Sequence, residues 1–216
     1  MAQIFQPAAD WMLKLTVLGV LGGLVALLVA WHSSLAFQPA IGQPVAQEVP
    51  FSHKHHVGEV GLDCRYCHAS VEASSYAGLP PTTTCMTCHS QLFRKAPMLA
   101  PVRASLEKGR PLVWRRVNRL PDFVFFNHSL PVHKGVGCTT CHGPVDRMQL
   151  TWRAEPLTMR WCLDCHRQPE DRLRPRDAVF ETDWQPSPDQ QALGDALVQH
   201  YGIDKGRLSD CSVCHR

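Results

Sequence analysis

Ten cysteines and twelve histidines stand among 216 residues, and all ten cysteines fall into one pattern, Cys-x-x-Cys-His. It occurs at Cys64, Cys67 and His68; at Cys85, Cys88 and His89; at Cys138, Cys141 and His142; at Cys162, Cys165 and His166; and at Cys211, Cys214 and His215. This is the attachment signal of c-type haem. Two thiols two residues apart add to the two vinyl groups on one edge of a porphyrin. The histidine that follows at once is thereby held under the iron as its proximal ligand. Paired Cys-x-x-Cys also builds zinc ribbons, but zinc has no need of a histidine directly after the second cysteine. Finding one five times in five favours five covalently attached haems c, with no cysteine left for a disulfide.

Whether such an iron relays electrons or meets substrate depends on its sixth ligand. Seven histidines lie outside the motifs: His32, His53, His55, His56, His128, His133 and His200. His53 and His56 form F-x-H-x-x-H upstream of the first motif. Residues at i and i+3 share one face of a helical turn, so both can reach an iron while His55 faces elsewhere. His128, in Phe126-Asn127-His128, stands ten residues before Cys138, much as His53 stands eleven before Cys64. For the last two irons the candidates are Met148, Met159 and His133, with His200 a further one. A lone methionine is more often core filler than ligand. This short segment holds two, however, so one of Met148 or Met159 is expected to ligate, with Met148 slightly preferred, and methionine ligation would raise that haem's potential.

The elements that carry these residues repeat. A histidine-bearing turn, one motif, then a second motif after sixteen or nineteen residues occurs at 51–101 and again at 120–170, the mark of an internal two-haem module. A basic link, 102–119, joins the modules and can pair with haem propionates or an acidic partner. Residues 171–216 hold the fifth motif. At about thirty-three residues per haem, porphyrin must make up most of the core of residues 51–216, since so short a chain buries little of its own. The expected fold is mostly α-helical and irregular: short helices each bearing a motif, joined by proline-rich loops. Only Gln190–Tyr201 has a clear helical period, and no strand pattern stands out.

Leu15–Trp31 is a seventeen-residue apolar run broken only by Thr16 and bracketed by Trp11 and Trp31. It fits a short spanning helix with interfacial tryptophans. Ser34-Leu35-Ala36 resembles a signal cleavage site, yet the run exceeds the usual signal core. Residues 1–36 are therefore expected to be an uncleaved, single-pass anchor in the cytoplasmic membrane. Residues 37–50, with three prolines, read as an extended linker. Covalent haem attachment takes place on the outer face, which puts 51–216 in the periplasm. A net charge of +3 with scattered Lys and Arg gives no nucleic-acid stripe.

With W-R-R-V-N-R-L-P-D-F-V-F-F-N-H at 114–128, K-G-V-G-C-T-T-C-H-G at 134–143 and L-T-M-R-W-C-L-D-C-H-R at 157–167, the chain resembles the pentahaem cytochrome subunit of bacterial alternative complex III. The resemblance covers the anchor, the motif order and nearly the whole haem domain. It implies a subunit that is no enzyme by itself but serves a quinol:acceptor oxidoreductase. Its partners would be a polytopic quinol-oxidising membrane subunit and a large iron–sulfur subunit. Its periplasmic acceptor would be a soluble cytochrome c, a copper protein or a terminal oxidase. The family pattern often has histidine where this chain has Asn118 and Pro131, and neither of these can serve as a ligand. A stand-alone membrane-anchored multihaem quinol dehydrogenase is the second reading. No motif here is followed by the x-Met typical of that group. A catalytic multihaem reductase would need an open iron, and usually a variant motif.

Overall fold

Apolar residues on every side of one helix leave it no polar face to turn to water. The computed structural model, which describes residues 7–36 and 40–215, makes the amino-terminal run such a helix, α1 (Pro7–Ala36). Within it, Ala8–Ser33 averages a hydropathy of 2.3 and buries nothing inside the protein. That stretch is long and apolar enough to cross a membrane, with a rise of about 1.5 Å per residue against a hydrocarbon core of about 30 Å. Its polar groups are satisfied locally: the Thr16 hydroxyl donates to the Met12 carbonyl and Lys14 pairs with Asp10 at 3.0 Å.

The second unit, from Ile41 onward, is helical and irregular, as expected. Among its described residues there are only isolated bridges and no strand. Short helices follow one another: α2 (Cys64–Cys67), α3 (Thr82–His89), α4 (Ala100–Lys108), α5 (Ser129–His133), α6 (Cys138–His142), α7 (Met159–Arg167), α8 (Gln190–His200) and α9 (Cys211–Cys214). A π-helical turn, Lys54–Glu59, precedes α2. Thus each module runs from a histidine-bearing turn to a short motif helix and then a longer one.

Little of this unit is buried in protein. Ten hydrophobic residues make up the described core. They include two small clusters, one of Val49, Leu99 and Val102 and one of Leu173, Leu197 and Tyr201. Large apolar side chains such as Leu92, Phe93, Phe123 and Phe126 stay exposed. A chain of this length normally buries well over half its surface, so a shortfall with apolar residues left facing outward fits a domain completed by cofactor.

Three contacts fix the frame. Gly58 of the π-turn lies so close to the turn Val145–Arg147 that a Cβ there would run into the Asp146 carbonyl. Helix α8, capped by the Asp189 side chain accepting from Ala192 N at 3.2 Å, packs Gly194 on the backbone of Glu170, and a Cβ would again overlap it. The stretch read as a linker follows an extended path, but from residue 41 it is pinned to the second module. Gly42 N donates to Arg153 O at 2.8 Å, Val45 N to Thr151 O at 3.0 Å, and Val49 is buried. Residues 37–39 lie outside the described residues.

Candidate haem sites

Every motif is a turn of helix, so its two cysteines, three apart, lie on one face. Caps start these turns where the sequence puts them. The Asp63 carboxylate accepts from Arg65 N at 2.8 Å ahead of α2, and the Thr158 hydroxyl accepts from Trp161 N at 3.4 Å in α7. These are ordinary N-cap bonds. All ten thiols are free of disulfides. Among the described residues no three metal-binding side chains converge as a zinc ribbon would require.

The histidines are arranged differently. The ring of His53 stands 6.5 Å from that of His68, His56 stands 6.2 Å from His89, and His128 stands 6.4 Å from His142. Two metal–nitrogen bonds of about 2 Å, plus about 1.1 Å from nitrogen to ring centre at each end, add up to about 6.3 Å. Each pair is therefore spaced for one metal atom between two imidazoles, too far apart for stacking in contact. The planes of the first and third pairs are nearly parallel, at 8°, and those of the second are turned by 70°.

Among the described residues, nine histidines besides His55 have the Nδ1 atom engaged. In seven, Nδ1 donates to a backbone carbonyl at 2.7–3.3 Å: His56 to Ser52, His68 to Gly78, His89 to Leu92, His128 to Ser75, His133 to Ser129, His166 to Leu208 and His215 to Phe123. His53 uses the Thr151 hydroxyl at 3.0 Å, and His142 meets the Asn118 amide at 3.1 Å. Asn118 Oδ1 is buried without a partner; turning the amide over gives His142 its acceptor. The carbonyl bonds fix the tautomer with the proton on Nδ1 and leave the Nε2 lone pair free, the usual arrangement behind a metal-binding histidine. Burial favours the neutral ring at two of the nine histidines. It is the main cause that brings His53 and His142 down to about 4, with His68, His56 and His142 adding to it around His53, and His128 and His68 around His142. Ligation needs the neutral form.

His55 is turned away, as its place in the turn predicts, and its Nδ1 meets exposed Glu59 at 2.8 Å. Among the described residues no second ring stands opposite His166 or His215 at the spacing of the three pairs. Phe123 lies 5.8 Å from His215. Of the ligands expected there, Met148 has no accessible surface and is packed in the core near Gly143, so its sulfur is closed in by protein atoms. Met159 is 65% exposed at the start of α7. His133 is exposed, yet it carries the same bond to the carbonyl four residues back that His56 has. His200 is exposed beside Tyr201.

The carbonyls that orient the imidazoles leave no trace in a sequence, because every residue type has one. Arg174 could not be picked out either. It is 4% exposed, donates to the carbonyls of Ala178 and Glu181 and to the Thr139 hydroxyl inside α6, and lies 4.3 Å over the Trp184 ring.

The motifs also touch one another. Tyr66 and Thr87, inside the first and second motifs, share a hydrogen bond of 2.7 Å. Cys64 and Cys138 are neighbours, and both motifs rest on one turn, where Phe180 O accepts from Cys64 Sγ at 4.0 Å and Val179 O accepts from Cys138 N at 3.2 Å. Burial and then the neighbouring thiols of Cys165 and Cys162 push the Cys141 thiol up to about 12. Burial and then Cys214 push Cys162 up as well.

No family model matches the chain. Over 122 residues it is 38% identical to the protein named menaquinone reductase, multihaem cytochrome c subunit, of Nitratidesulfovibrio vulgaris strain Hildenborough. The matched stretch is 56% of each protein, so the chain spans about half the length of that relative. By sequence, then, the chain is similar to a multihaem cytochrome c subunit of a quinone-linked oxidoreductase.

Proposed function

We propose that this chain is a membrane-anchored electron-transfer cytochrome with five covalently attached haems c. It would serve as the relay subunit of a quinol:acceptor oxidoreductase complex, and not as an enzyme by itself. The observation that carries this reading is the set of three imidazole pairs at metal-spanning separation, each containing the histidine of a different attachment motif. Bound haem supplies one-electron redox chemistry. The chain supplies everything else. Its cysteine pairs fix each porphyrin edge, and its Nδ1 bonds aim the imidazoles. Imidazoles on both faces close an iron to substrates. His68, His89, His142, His166 and His215 are the proximal ligands in this reading, and His53, His56 and His128 the distal ones. His133 is the remaining distal candidate whose Nδ1 is anchored in the same way. The units are an anchor at 1–36, a connecting stretch at 37–50, modules at 51–101 and 120–170 about the basic link 102–119, and a single-haem segment at 171–216.

Resemblance to the alternative complex III cytochrome implies electrons moving outward from quinol, and the haem domain on the periplasmic face of the cytoplasmic membrane. A second reading is favoured by the name of the relative, a menaquinone reductase: the same relay running from an outer-face donor toward quinone. Purification of the native protein in mild detergent, with mass spectrometry of all that accompanies it, tests the proposal. Recovery of a polytopic membrane subunit and a large iron–sulfur subunit, with five haem masses on this chain, is the expected result. Recovery of the cytochrome alone, oxidising quinol by itself, would overturn it in favour of a stand-alone quinol dehydrogenase. Mixing the oxidised complex with a quinol, and the reduced complex with a quinone, decides the direction.

A further inference from the structure

The five attachment motifs meet in an order that differs from their order along the chain. The second touches the first through Tyr66 and Thr87. The first touches the third through Cys64 and Cys138 and through their shared turn at Val179 and Phe180. From the third, Cys141 lies beside Cys162 and Cys165 of the fourth. Glu155, which also lies beside Cys141, accepts from the indole Nε1 of Trp161, the residue before Cys162. The fourth meets the fifth where Cys162 neighbours Cys214 and where His166 Nδ1 donates to Leu208 O, three residues before Cys211. Among the described residues no hydrogen bond joins any other pair of motifs. Burial follows the same line: Cys88 and Cys211, in the second and fifth motifs, are the two exposed cysteines, and the other eight are partly buried.

We infer that the five sites form one unbranched wire in the spatial order 85–89, 64–68, 138–142, 162–166, 211–215, whose two ends, at Cys85–His89 and Cys211–His215, are where electrons come in and go out. Each electron given up at one end is delivered to the outer-face acceptor at the other, so that one quinol, oxidised to quinone with release of two protons and two electrons, reduces two one-electron acceptors. The site made first along the chain is thus second in space. The site at 138–142 is the middle of the wire.

This inference rests on the haem reading above, which the intact mass of the full-length protein checks separately, as five haem masses or fewer. The order is tested by axial-ligand substitution in the full-length holoprotein, read by redox titration with electron paramagnetic resonance. His56→Met changes an end site, so it should alter its own signal and shift the midpoint of one other haem. His128→Met changes the middle site and should shift two. A shift of two neighbours by His56→Met, or of one by His128→Met, would overturn the order. Should either variant fail to assemble, iron positions in the wild-type holoprotein by cryo-electron microscopy decide. The order stands if the irons of 85–89 and 211–215 each have one near neighbour and the other three have two. It falls if the line branches or its neighbours differ.

Discussion

The three sites of the first, second and third motifs and the two sites of the fourth and fifth motifs are built to different degrees. In the former, each motif histidine faces a second imidazole whose Nδ1 is also held. Those second imidazoles come from two turns, at 53–56 and at 128, and each turn is locked to a distant segment. The π-turn is held by the Val145–Arg147 turn and by Lys54 N donating to Met148 O at 3.0 Å. His128 is held by the Ser75 carbonyl. In the latter, His166 and His215 are anchored from behind by Leu208 and Phe123 but face no imidazole among the described residues. A motif fixes only the proximal side of a site. The distal side needs a second, remote segment held in register, and that is where the two regions part.

Carbon monoxide is the sharpest way to break the comparison. Two protein ligands leave an iron no free position, so the three paired sites of the reduced protein should stay closed. Any binding should be confined to the sites of His166 and His215, at no more than two per chain. A stoichiometry above two would remove the distinction. His53→Ala should then open one paired site, adding one equivalent of carbon monoxide and losing one low-spin bis-histidine signal.

Arg174 sits between the regions, tying α6 to the segment before α8. Arg174→Leu strands the carbonyls of Ala178 and Glu181 and the Thr139 hydroxyl together. A buried, hydrogen-bonded cation lost in this way should cost about 3–5 kcal/mol, read as a fall in the thermal midpoint. Retention of wild-type stability would mean that water or cofactor replaces its bonds.

Met148 sharpens the comparison from the other side. The structure places it in the core, so Met148→Leu should cost less than about 1.5 kcal/mol and leave the visible and near-infrared spectra unchanged. Met148→Ala should cost about 2–5 kcal/mol through the cavity it leaves. Loss of a near-infrared band in Met148→Leu would restore it as a ligand.

These cases show what a sequence can carry. The motifs were legible because thioether chemistry demands both residue type and spacing. That His53 and His56 could face motif histidines was legible from their i, i+3 spacing, and His128 from the module repeat, as the ring pairs bring out; the helical period of 190–201 announced α8. Met148, which the structure buries, was expected as a ligand because a methionine in a haem-rich segment looks the same whether it faces iron or fills core. Neither the backbone carbonyls behind the imidazoles nor Arg174 could be found, since nothing about residue type marks them. Three prolines made 37–50 look like an extended linker, whereas Gly42 and Val45 are bonded to Arg153 and Thr151. Proline sets the extended path but says nothing about what lies beside it.

The smallest expected effect concerns the support under the less complete region. Glu170 is buried at 7% exposure, and Lys205, partly exposed, donates to both its oxygens at 2.7 and 2.9 Å. The bond from Lys205 holds the Glu170 carboxyl below its usual range. Solvent around the lysine screens much of this, so Glu170→Gln should cost only about 1 kcal/mol near neutral pH. The sign follows from linkage: a carboxyl whose folded value is depressed adds stability above its unfolded value and loses it as pH falls through the folded one. On acidification below the ordinary carboxylate range, wild type should therefore converge on Glu170→Gln, as thermal midpoints measured from neutral to acid pH would show. If the gap stayed constant over that range, the ion pair would contribute nothing, and packing of Gly194 on the Glu170 backbone would alone hold α8 beneath the fourth and fifth motifs.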